Sequence, residues 1–482
     1  MITPVIYDDA PLRERVTKCL QDDFKHNAIK QAQEALGSKR SQLVAEMPEW
    51  ENLREAAKVI RQHVTDNLDY YLKEFVENTT ARGNKVHFAP TADDALCEIL
   101  DIFAEHNATS CVKSKSMMTE EMGLNSVLEE ATIKVVETDC AEHIIQTAED
   151  KPSHIVVPGL HFTRKEIAEL YRQKKGYTGS DVPEEITHFL RDILREEFLT
   201  ADIGIRGCNF AVAETGSVTL VTNEGNGRMI GTCPKTQIIV LGIDRLVPDL
   251  ESLDVMCSLL ARNAVGAKMT AYFCMDSGPA RADEGDGPTD VHIVIMDNGR
   301  SDLIDTDFED MLRCMRCGAC LNTCPVYRHI TGHGYGSIYP GPMGIIMSAN
   351  LEGYDNIGSM PYACTLCGAC SEDCPSKIPL HEMIRQHRIN MVEEGRVPAA
   401  EQAAYKAAAK VLSTKPLYLA ALKVGSFGMK PLCAIEESGQ IGAKTAGIPL
   451  VKNWTESRNL DPLPATRFRT QFAKHKKESG EN

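Results

Sequence analysis

The sequence predicts an α/β domain followed by an all-α domain, with a helical region in front of both. Apolar residues recur at helical spacing between residues 10 and 80. Short apolar runs then alternate with helical stretches from about residue 80 to 300, a pattern typical of a largely parallel sheet. Two cysteine runs separated by about forty residues follow, and this spacing suits a mainly helical domain. We therefore expect regions at 1–80, 81–300, 301–395 and 396–482, the last a helical extension and tail.

The N-terminal region has the pattern of amphipathic helices. Between residues 49 and 83, apolar side chains recur at steps of three and four, and Gly83 is placed to end the last helix. These apolar positions are Leu53, Ala57, Ile60, Val64, Leu68, Tyr71, Leu72 and Phe75.

The middle region reads as strands separated by helices. Thr163 and Glu166 have the spacing of a capping box, which predicts that a helix begins between them. The segment 277–290 is rich in glycine, proline and acidic residues, so we expect an exposed loop there. The predicted strands are KVHFAP (85–90), ATSCVKS (108–114), IKVVETD (133–139), HIVVPGL (154–160), VTLVT (218–222), QIIVLGI (237–243) and VHIVIMD (291–297).

The cysteine runs carry the clearest chemical signal in the chain. Each has the spacing C-x₂-C-x₂-C-x₃-C-P, which is typical of [4Fe–4S] cluster ligands, and two copies predict two clusters. In this arrangement the fourth cysteine normally binds the other cluster. We therefore assign Cys314, Cys317, Cys320 and Cys374 to the first cluster, and Cys364, Cys367, Cys370 and Cys324 to the second. Two zinc sites are the alternative, because C-x₂-C pairs also suit tetrahedral zinc.

Composition narrows the class of partner and the compartment. The formal net charge of −16 argues against nucleic acid and anionic lipid as broad partners, since both require a basic face. We expect no secretory signal and no transmembrane segment, because no long apolar run is present. The amphipathic segment 416–432 could cover its own cluster domain or dock peripherally on a membrane. Nine cysteines outside the motifs show no pairing pattern, so we expect a cytoplasmic protein.

Two polar turns around the predicted strand 218–222 are a candidate anion-binding site. They offer backbone N–H groups, hydroxyls and amides, and a guanidinium that could clamp a carboxylate or phosphate. Ordinary turn chemistry is the alternative, because glycine is common in hairpin turns. The candidate residues are Glu214, Thr215, Gly216, Ser217, Asn223, Asn226 and Arg228.

Other candidates are weaker. A single histidine is more often packed than catalytic, although His154 and His161 flank a predicted strand, and strand ends collect functional groups. His292, His329 and His333 have no such position. No nucleotide-binding fingerprint is present, and the glycine-rich segment 332–344 between the cysteine motifs fits backbone packing beside clusters better than a nucleotide loop.

Taken together, these segments resemble the lactate utilization protein B family, an iron–sulfur component of bacterial lactate oxidation. The resemblance runs nearly end to end. It is carried by TARGNKVHFA (80–89), SKSMMTEEMGLN (114–125), VVETD (135–139), PSHIVVPGLH (152–161), AETGSVTLVTNEGN (213–226), DNGR (297–300), MRCGACLNTCPVYRHITGHGYGSIYPGPMG (315–344), LCGAC (366–370) and CPSKIPL (374–380).

The resemblance implies a LUD domain related to CoA-transferase-like proteins, followed by an α-helical ferredoxin domain. It implies NAD-independent oxidation of L-lactate to pyruvate, which allows growth on lactate. Two partners are implied, a cysteine-rich protein similar to heterodisulfide reductase subunits and a smaller LUD protein. The resemblance favours an anion site at the two polar turns and assigns no catalytic base.

Two other functions stay open at the level of sequence. The chain could be a non-catalytic relay or scaffold, with the chemistry in the cysteine-rich partner. The substrate could instead be another 2-hydroxy acid such as glycolate, because no residue pattern reports the substituent on C2.

Overall fold

The computed structural model describes residues 3–433, 459, 461 and 468–479. These form two compact units, Met1–Asn390 and Met391–Asn482. Across the described ranges, every helix is too short or too polar to cross a membrane.

The first unit holds seventeen α-helices, the last of which continues into the second unit. Thr163 and Glu166 form the predicted capping box at the start of α9. The helices are α1 Leu12–Leu20, α2 Asp23–Ala45, α3 Trp50–Asp66, α4 Leu68–Ala81, α5 Ala92–Glu105, α6 Met117–Glu121, α7 Leu124–Glu130, α8 Cys140–Ala148, α9 Arg164–Lys175, α10 Pro183–Thr200, α11 Asn226–Ile230, α12 Leu250–Val265, α13 Ala319–Asn322, α14 Pro325–Ile330, α15 Gly341–Ile357, α16 Ala369–Glu372 and α17 Leu380–Glu393.

A six-stranded sheet forms the centre of this unit, and all its neighbouring strands are parallel, in the order β1-β10-β7-β4-β2-β3. The central strand β7 is buried along its whole length, as expected for a parallel sheet covered on both faces. The predicted α/β class is therefore confirmed. The strands are β1 Lys85–Ala89, β2 Ser110–Lys113, β3 Lys134–Glu137, β4 Ile203–Gly207, β7 Thr236–Gly242 and β10 Asp290–Met296.

A second sheet of four strands, in the order β8-β5-β6-β9, was not predicted. Its strands are β5 Phe210–Val212, β6 Ser217–Thr222, β8 Leu246–Val247 and β9 Tyr272–Asp276. The strand predicted at 218–222 lies here, as β6, and pairs antiparallel with β5 and β9. Sequence reasoning missed β5 and β8 because they are only three and two residues long.

The strand predicted at 154–160 is wrong. This segment is an irregular loop, in which the imidazole Nδ1 of His154 accepts hydrogen bonds from the N–H groups of Val156 and Val157 at 3.0 and 3.1 Å. Ile155 is buried in the hydrophobic core that surrounds the cysteine motifs. Burial of an apolar loop therefore gave the segment the composition of a strand.

The N-terminal helices pack directly on the cysteine segment. In α2, the side-chain amide of Gln33 donates to the carbonyl oxygens of Leu321 and Cys324 at 2.6 and 3.2 Å. In α3, Nε and Nη2 of Arg54 donate to the carbonyl of Cys374 at 3.1 and 2.9 Å. These bonds satisfy buried backbone carbonyl groups at the short helix α13 and at the fourth cysteine of each run.

The described part of the second unit contains two helices after α17 and a third at residues 468–479. They are α18 Ala399–Ser413, α19 Lys415–Cys433 and α20 Phe468–Ser479. Within α18 and α20 no residue is buried. The rest of the predicted extension, 434–458, 460, 462–467 and 480–482, lies outside the described residues.

A buried ion network joins the parallel sheet to the cysteine segment. Arg300 donates from both terminal nitrogens to the carboxylate of Glu121 at 2.8 and 2.9 Å, and from Nε to Asp244 at 3.2 Å. Glu121 also accepts from the hydroxyl of Tyr339 at 2.6 Å. The guanidinium of Arg316, between two cluster cysteines, lies 3.6 Å from Asp244. The side chains of Arg300, Glu121 and Asp244 are each at most 1% exposed.

We expect Arg300→Met to destabilise the protein by about 3–5 kcal/mol, because it leaves the buried carboxylate of Glu121 without its counter-charge and removes one of the cations around Asp244. The measurement is the urea midpoint of unfolding, followed by circular dichroism. Arg191→Met is the matched control, since Arg191 is 75% exposed and pairs only with exposed Asp192. Equal midpoints for the two variants would contradict this role of the network.

Candidate functional site

The structure brings the first predicted cysteine set around one cavity. A small cavity of about 20 Å³ is lined by the four cysteines Cys314, Cys317, Cys320 and Cys374, although Cys374 is more than fifty residues away in sequence from the other three. Arg316, Met343 and Ile378 also lie on its wall.

The second set also meets in space. Burial raises the pKa of the Cys324 thiol to about 11; backbone N–H groups oppose this rise, and the nearby charges of Cys364 and Cys367 add to it. Burial, together with the nearby charges of Cys324 and Cys364, raises the pKa of the Cys370 thiol to about 12. The fourth cysteine of each run therefore lies with the first three of the other run.

The two loops have the same backbone conformation. Arg316 and Gly318 in the first loop have φ angles of 59° and 77°, and Leu366 and Gly368 in the second have 56° and 83°. Left-handed φ is uncommon for arginine and leucine, so it is retained only where the fold requires it. This winding turns a backbone N–H onto each first sulfur, from Arg316 to Cys314 Sγ at 3.4 Å and from Leu366 to Cys364 Sγ at 3.2 Å.

These features fit iron–sulfur clusters better than zinc. Tetrahedral zinc with bonds of about 2.3 Å places thiolate sulfurs about 3.8 Å apart. In the part of the chain that the structure describes, no three cysteine sulfurs lie within 4.8 Å of one another. The wider spacing leaves room for a cluster core, and backbone N–H groups directed at sulfur are typical of cluster loops.

A larger cavity adjoins the first cysteine set. It has a volume of about 410 Å³ and lies beyond the carboxyl ends of β2, β3, β4 and β7, where open α/β sheets usually bind their ligands. Met315, Arg316 and Cys317 form part of its wall, so one peptide segment separates this cavity from the cysteine cavity.

Two cationic side chains on this wall have buried donors without acceptors. The ammonium of Lys115 and Nη1 of Arg316 are buried and have no hydrogen-bond partner among the residues that the structure describes. Oε1 of Glu142 lies 3.9 Å from Nζ of Lys115, which is too far for a hydrogen bond. Burial lowers the pKa of Lys115, whereas burial raises the pKa of Glu142. The cavity wall therefore carries two buried donors that a ligand could satisfy, beside the carboxyl groups of Asp139 and Glu224.

Comparison with known proteins finds a family match for the sheet region and another for the cysteine region. Residues 72–296 match the LUD domain family, and residues 310–378 match the 4Fe-4S dicluster domain family. The lactate utilization protein B of Bacillus licheniformis is 46% identical, with 98% of each chain covered. That of Bacillus subtilis is also 46% identical, over 96% of this chain and 95% of the relative. The chain belongs to the lactate utilization protein B family.

Two further comparisons differ in their weight. An uncharacterized electron transport protein of Escherichia coli, YkgF, is 45% identical over 98% of both chains. A crystal structure of a DUF162 family protein from Deinococcus radiodurans covers 48% of this chain and 98% of its own, at 13% identity and a TM-score of 0.28, which is too low to support an inference.

In this member of the lactate utilization protein B family, the residues of the predicted anion site do not lie together. Asn223 and Asn226 line the large cavity. The turn Glu214–Ser217 instead packs on α4, where Asn78 donates to the Glu214 carbonyl at 3.0 Å and Arg82 donates to the Thr215 carbonyl at 2.6 Å.

The close contact with α4 explains the glycine of that turn. Gly216 has a φ of 65°, and a Cβ there would lie 2.4 Å from the backbone nitrogen of Thr79. Ser217 shares a hydrogen bond of 2.8 Å with the hydroxyl of Ser277. Arg228, the predicted clamp, is exposed and is not among the residues that line the cavity.

The candidate histidines are mainly held by other side chains. His154 bonds to Asn322 at 3.2 Å, and His161 bonds to Ser153 and Asp150 at 3.0 and 3.1 Å. Burial lowers the pKa of His154 to about 3, so it is neutral at physiological pH. Neither residue flanks a strand, because the segment between them is a loop.

Sequence reasoning missed Lys115 and Arg316. Lys115 lies shortly after the end of β2, separated from it by Ser114, and its position after a strand end was the one available signal. Arg316 lies inside a cysteine motif, where only the cysteines stood out. Their convergence depends on contacts between distant segments.

Proposed function

We propose that the chain is an iron–sulfur electron-transfer protein with two [4Fe–4S] clusters and a 2-hydroxy acid site beside the first of them. Cys314, Cys317, Cys320 and Cys374 hold the first cluster. Cys364, Cys367, Cys370 and Cys324 hold the second, as supported by the mutual charge effects of these thiols. Each cluster, when bound, supplies transfer of one electron at a time.

The two cysteine sets differ in exposure, which favours one direction of electron flow. Cys317, Cys320 and Cys374 are buried, and Cys317 borders the large cavity. In the second set, Cys364 is half-buried and Cys367 is exposed. The first set is therefore placed to meet the substrate, and the second to meet a partner protein at the surface.

The observation that carries the substrate class is the pair of buried cationic donors on the wall of the large cavity, of which Arg316 also lines the cysteine cavity. A carboxylate can accept from the ammonium of Lys115 and from Nη1 of Arg316 and so satisfy both groups. Asn223 and Asn226 add amide groups on the same wall. A small 2-hydroxy carboxylate held there would have its C2 hydroxyl next to the segment 315–317.

The names of the relatives favour lactate as that acid. Oxidation of lactate to pyruvate removes two hydrogens from C2 and its hydroxyl, and it releases two electrons and two protons. The protein would take the electrons singly and pass them to partners, for which we propose a cysteine-rich heterodisulfide-reductase-like protein and a smaller LUD protein. In the alternative function, the partner oxidises lactate and this chain only relays electrons.

We expect Cys374→Ser to reduce the iron content from about eight to about four per chain and to remove the signal of one cluster, because its thiolate belongs to the first set. Iron analysis and EPR of the dithionite-reduced protein measure this. Cys257→Ser, outside both sets, is the control and should keep all its iron. Loss of a ligand from the second cluster with the first intact would contradict the exchange of the fourth cysteines.

We expect Lys115→Met to weaken L-lactate binding to the iron-loaded protein at least about tenfold, since a charged hydrogen bond contributes about 1.5–3 kcal/mol. Isothermal titration calorimetry under anaerobic conditions measures the dissociation constant, and iron analysis checks cluster content. Lys73→Met, on an exposed side chain, is the matched control.

The variant Arg228→Ala distinguishes a substrate site in the cavity from a substrate site at the polar turns. Unchanged lactate affinity in this variant supports the cavity, because Arg228 is not on its wall. If Arg228→Ala loses affinity and Lys115→Met does not, the substrate site lies at the turns and the proposal for the cavity is wrong.

A further inference from the structure

A cluster of histidines lies at the amino ends of the parallel strands, away from the strand ends that border the large cavity. Asp290 and His292 are on β10, and His106 directly follows α5. The ligand atoms of these three residues all lie within 4.8 Å of one another. None of the three lines either cavity described above.

The distances within this cluster are those of metal ligands. Nε2 of His106 and Nε2 of His292 lie 3.2 and 3.4 Å from the same oxygen of Asp290, Oδ2. Metal–ligand bonds of about 2.1 Å at tetrahedral angles place ligand atoms about 3.4 Å apart. Neither imidazole nitrogen forms a hydrogen bond with Asp290 or with any other group in the described ranges.

A chain of hydrogen bonds fixes the ring of His292. The carboxylate of Glu98 accepts from Nδ1 of His87 at 2.7 Å, so Nε2 of a neutral His87 is an acceptor. That nitrogen lies 3.0 Å from Nδ1 of His292, which carries the hydrogen between them when both rings are neutral. Nε2 of His292 is left with a bare lone pair that faces a carboxylate.

That arrangement is unfavourable unless a cation lies between the two groups. The His292 side chain is 1% exposed, so bulk water does not solvate the lone pair. A metal-ligating histidine is usually oriented by a hydrogen bond at its other nitrogen, and His87, itself held by Glu98, forms that bond to His292. His106 has similar support, since its Nδ1 lies 3.3 Å from the hydroxyl of Thr236 on β7.

We propose that His106, Asp290 and His292 form a binding site for a divalent transition-metal ion, with Zn²⁺ as the ion to test. The two imidazole nitrogens and one carboxylate oxygen are a donor set that zinc accepts, and a fourth position is left for water. The ion ties α5 to β10, and through Thr236 it is linked to the start of β7. Its role is separate from electron transfer, because the site lies at the opposite end of the sheet strands from the cavity.

Lys85 competes with this ion. Its ammonium donates to Oδ2 of Asp290 at 2.8 Å and lies 3.5 Å from Glu105. The Lys85 side chain is 47% exposed, so it can move away into solvent when a metal binds. Its charge should therefore weaken metal affinity without abolishing it.

A second histidine group has similar spacing, but its Nε2 atoms are already hydrogen-bonded. Asp150, His161 and His333 also lie within 4.8 Å of one another. Both nitrogens of His161 are hydrogen-bonded, and Nε2 of His333 bonds to the Lys151 carbonyl at 3.1 Å. The hydrogen bonds there already account for the arrangement, so we propose no metal at that group.

Equilibrium dialysis of the iron-loaded full chain against Zn²⁺, under anaerobic conditions, tests the site. We expect the wild-type protein to bind one equivalent of zinc more than His106→Ala, with the same iron content in both. His106 is partly exposed, so its replacement is compatible with folding. His188→Ala, which alters an exposed histidine elsewhere, is the control and should retain the extra zinc.

A second variant tests where the ion lies. Lys85→Met should bind zinc about threefold to fivefold more tightly, because an exposed ion pair to Asp290 no longer competes. Equal zinc content in wild-type and His106→Ala protein would overturn the proposal. Unchanged affinity in Lys85→Met would contradict the placement of the ion on Oδ2 of Asp290.

Discussion

The buried ion network around Arg300 holds the first cysteine loop against the parallel sheet, and the rest of the site depends on this contact. Glu121 comes from the region after β2, Asp244 follows β7, and Arg316 comes from the cysteine motif. Arg61 on α3 adds donors to the carbonyls of Leu246 and Leu312 at 2.6 and 2.7 Å. Burying these charges is favourable only when each has its partner, so all four segments of the network must be in place. The network therefore links correct folding of the sheet to correct placement of the cysteines.

This linkage accounts for the position of the two cavities. Arg316 must adopt a left-handed backbone conformation so that Cys314 and Cys317 face one space, and its side chain then extends to Asp244 at the end of β7. The same residue consequently lies on the wall of both cavities. A guanidinium in that place can attract a substrate carboxylate and also favour the negative charge of cluster thiolates, since burial there strengthens both interactions.

Sequence patterns predicted the parts of this structure that depend on local spacing. The cysteine motifs, the capping box at Thr163 and the buried strands β7 and β10 each have a signal within a few residues. The strand predicted at 154–160 was wrong because burial against the cysteine segment, like burial in a sheet, selects apolar residues. The turn at Gly216 has a glycine because α4 approaches closely, and no local pattern distinguishes that reason from ligand binding. Lys115 and Arg316 could not be predicted, because only the folded chain brings them to one wall.

We propose that substrate meets the protein at the cavity beside the first cysteine set. Anaerobic visible absorbance and EPR of the purified, iron-loaded chain with L-lactate, first alone and then with its partner proteins, test this most directly. Reduction of the clusters by lactate in the isolated chain is the predicted result, and glycolate in a parallel sample reports how strictly the cavity selects the substituent on C2. Reduction that occurs only after the cysteine-rich partner is added would contradict the account and would make this protein a relay.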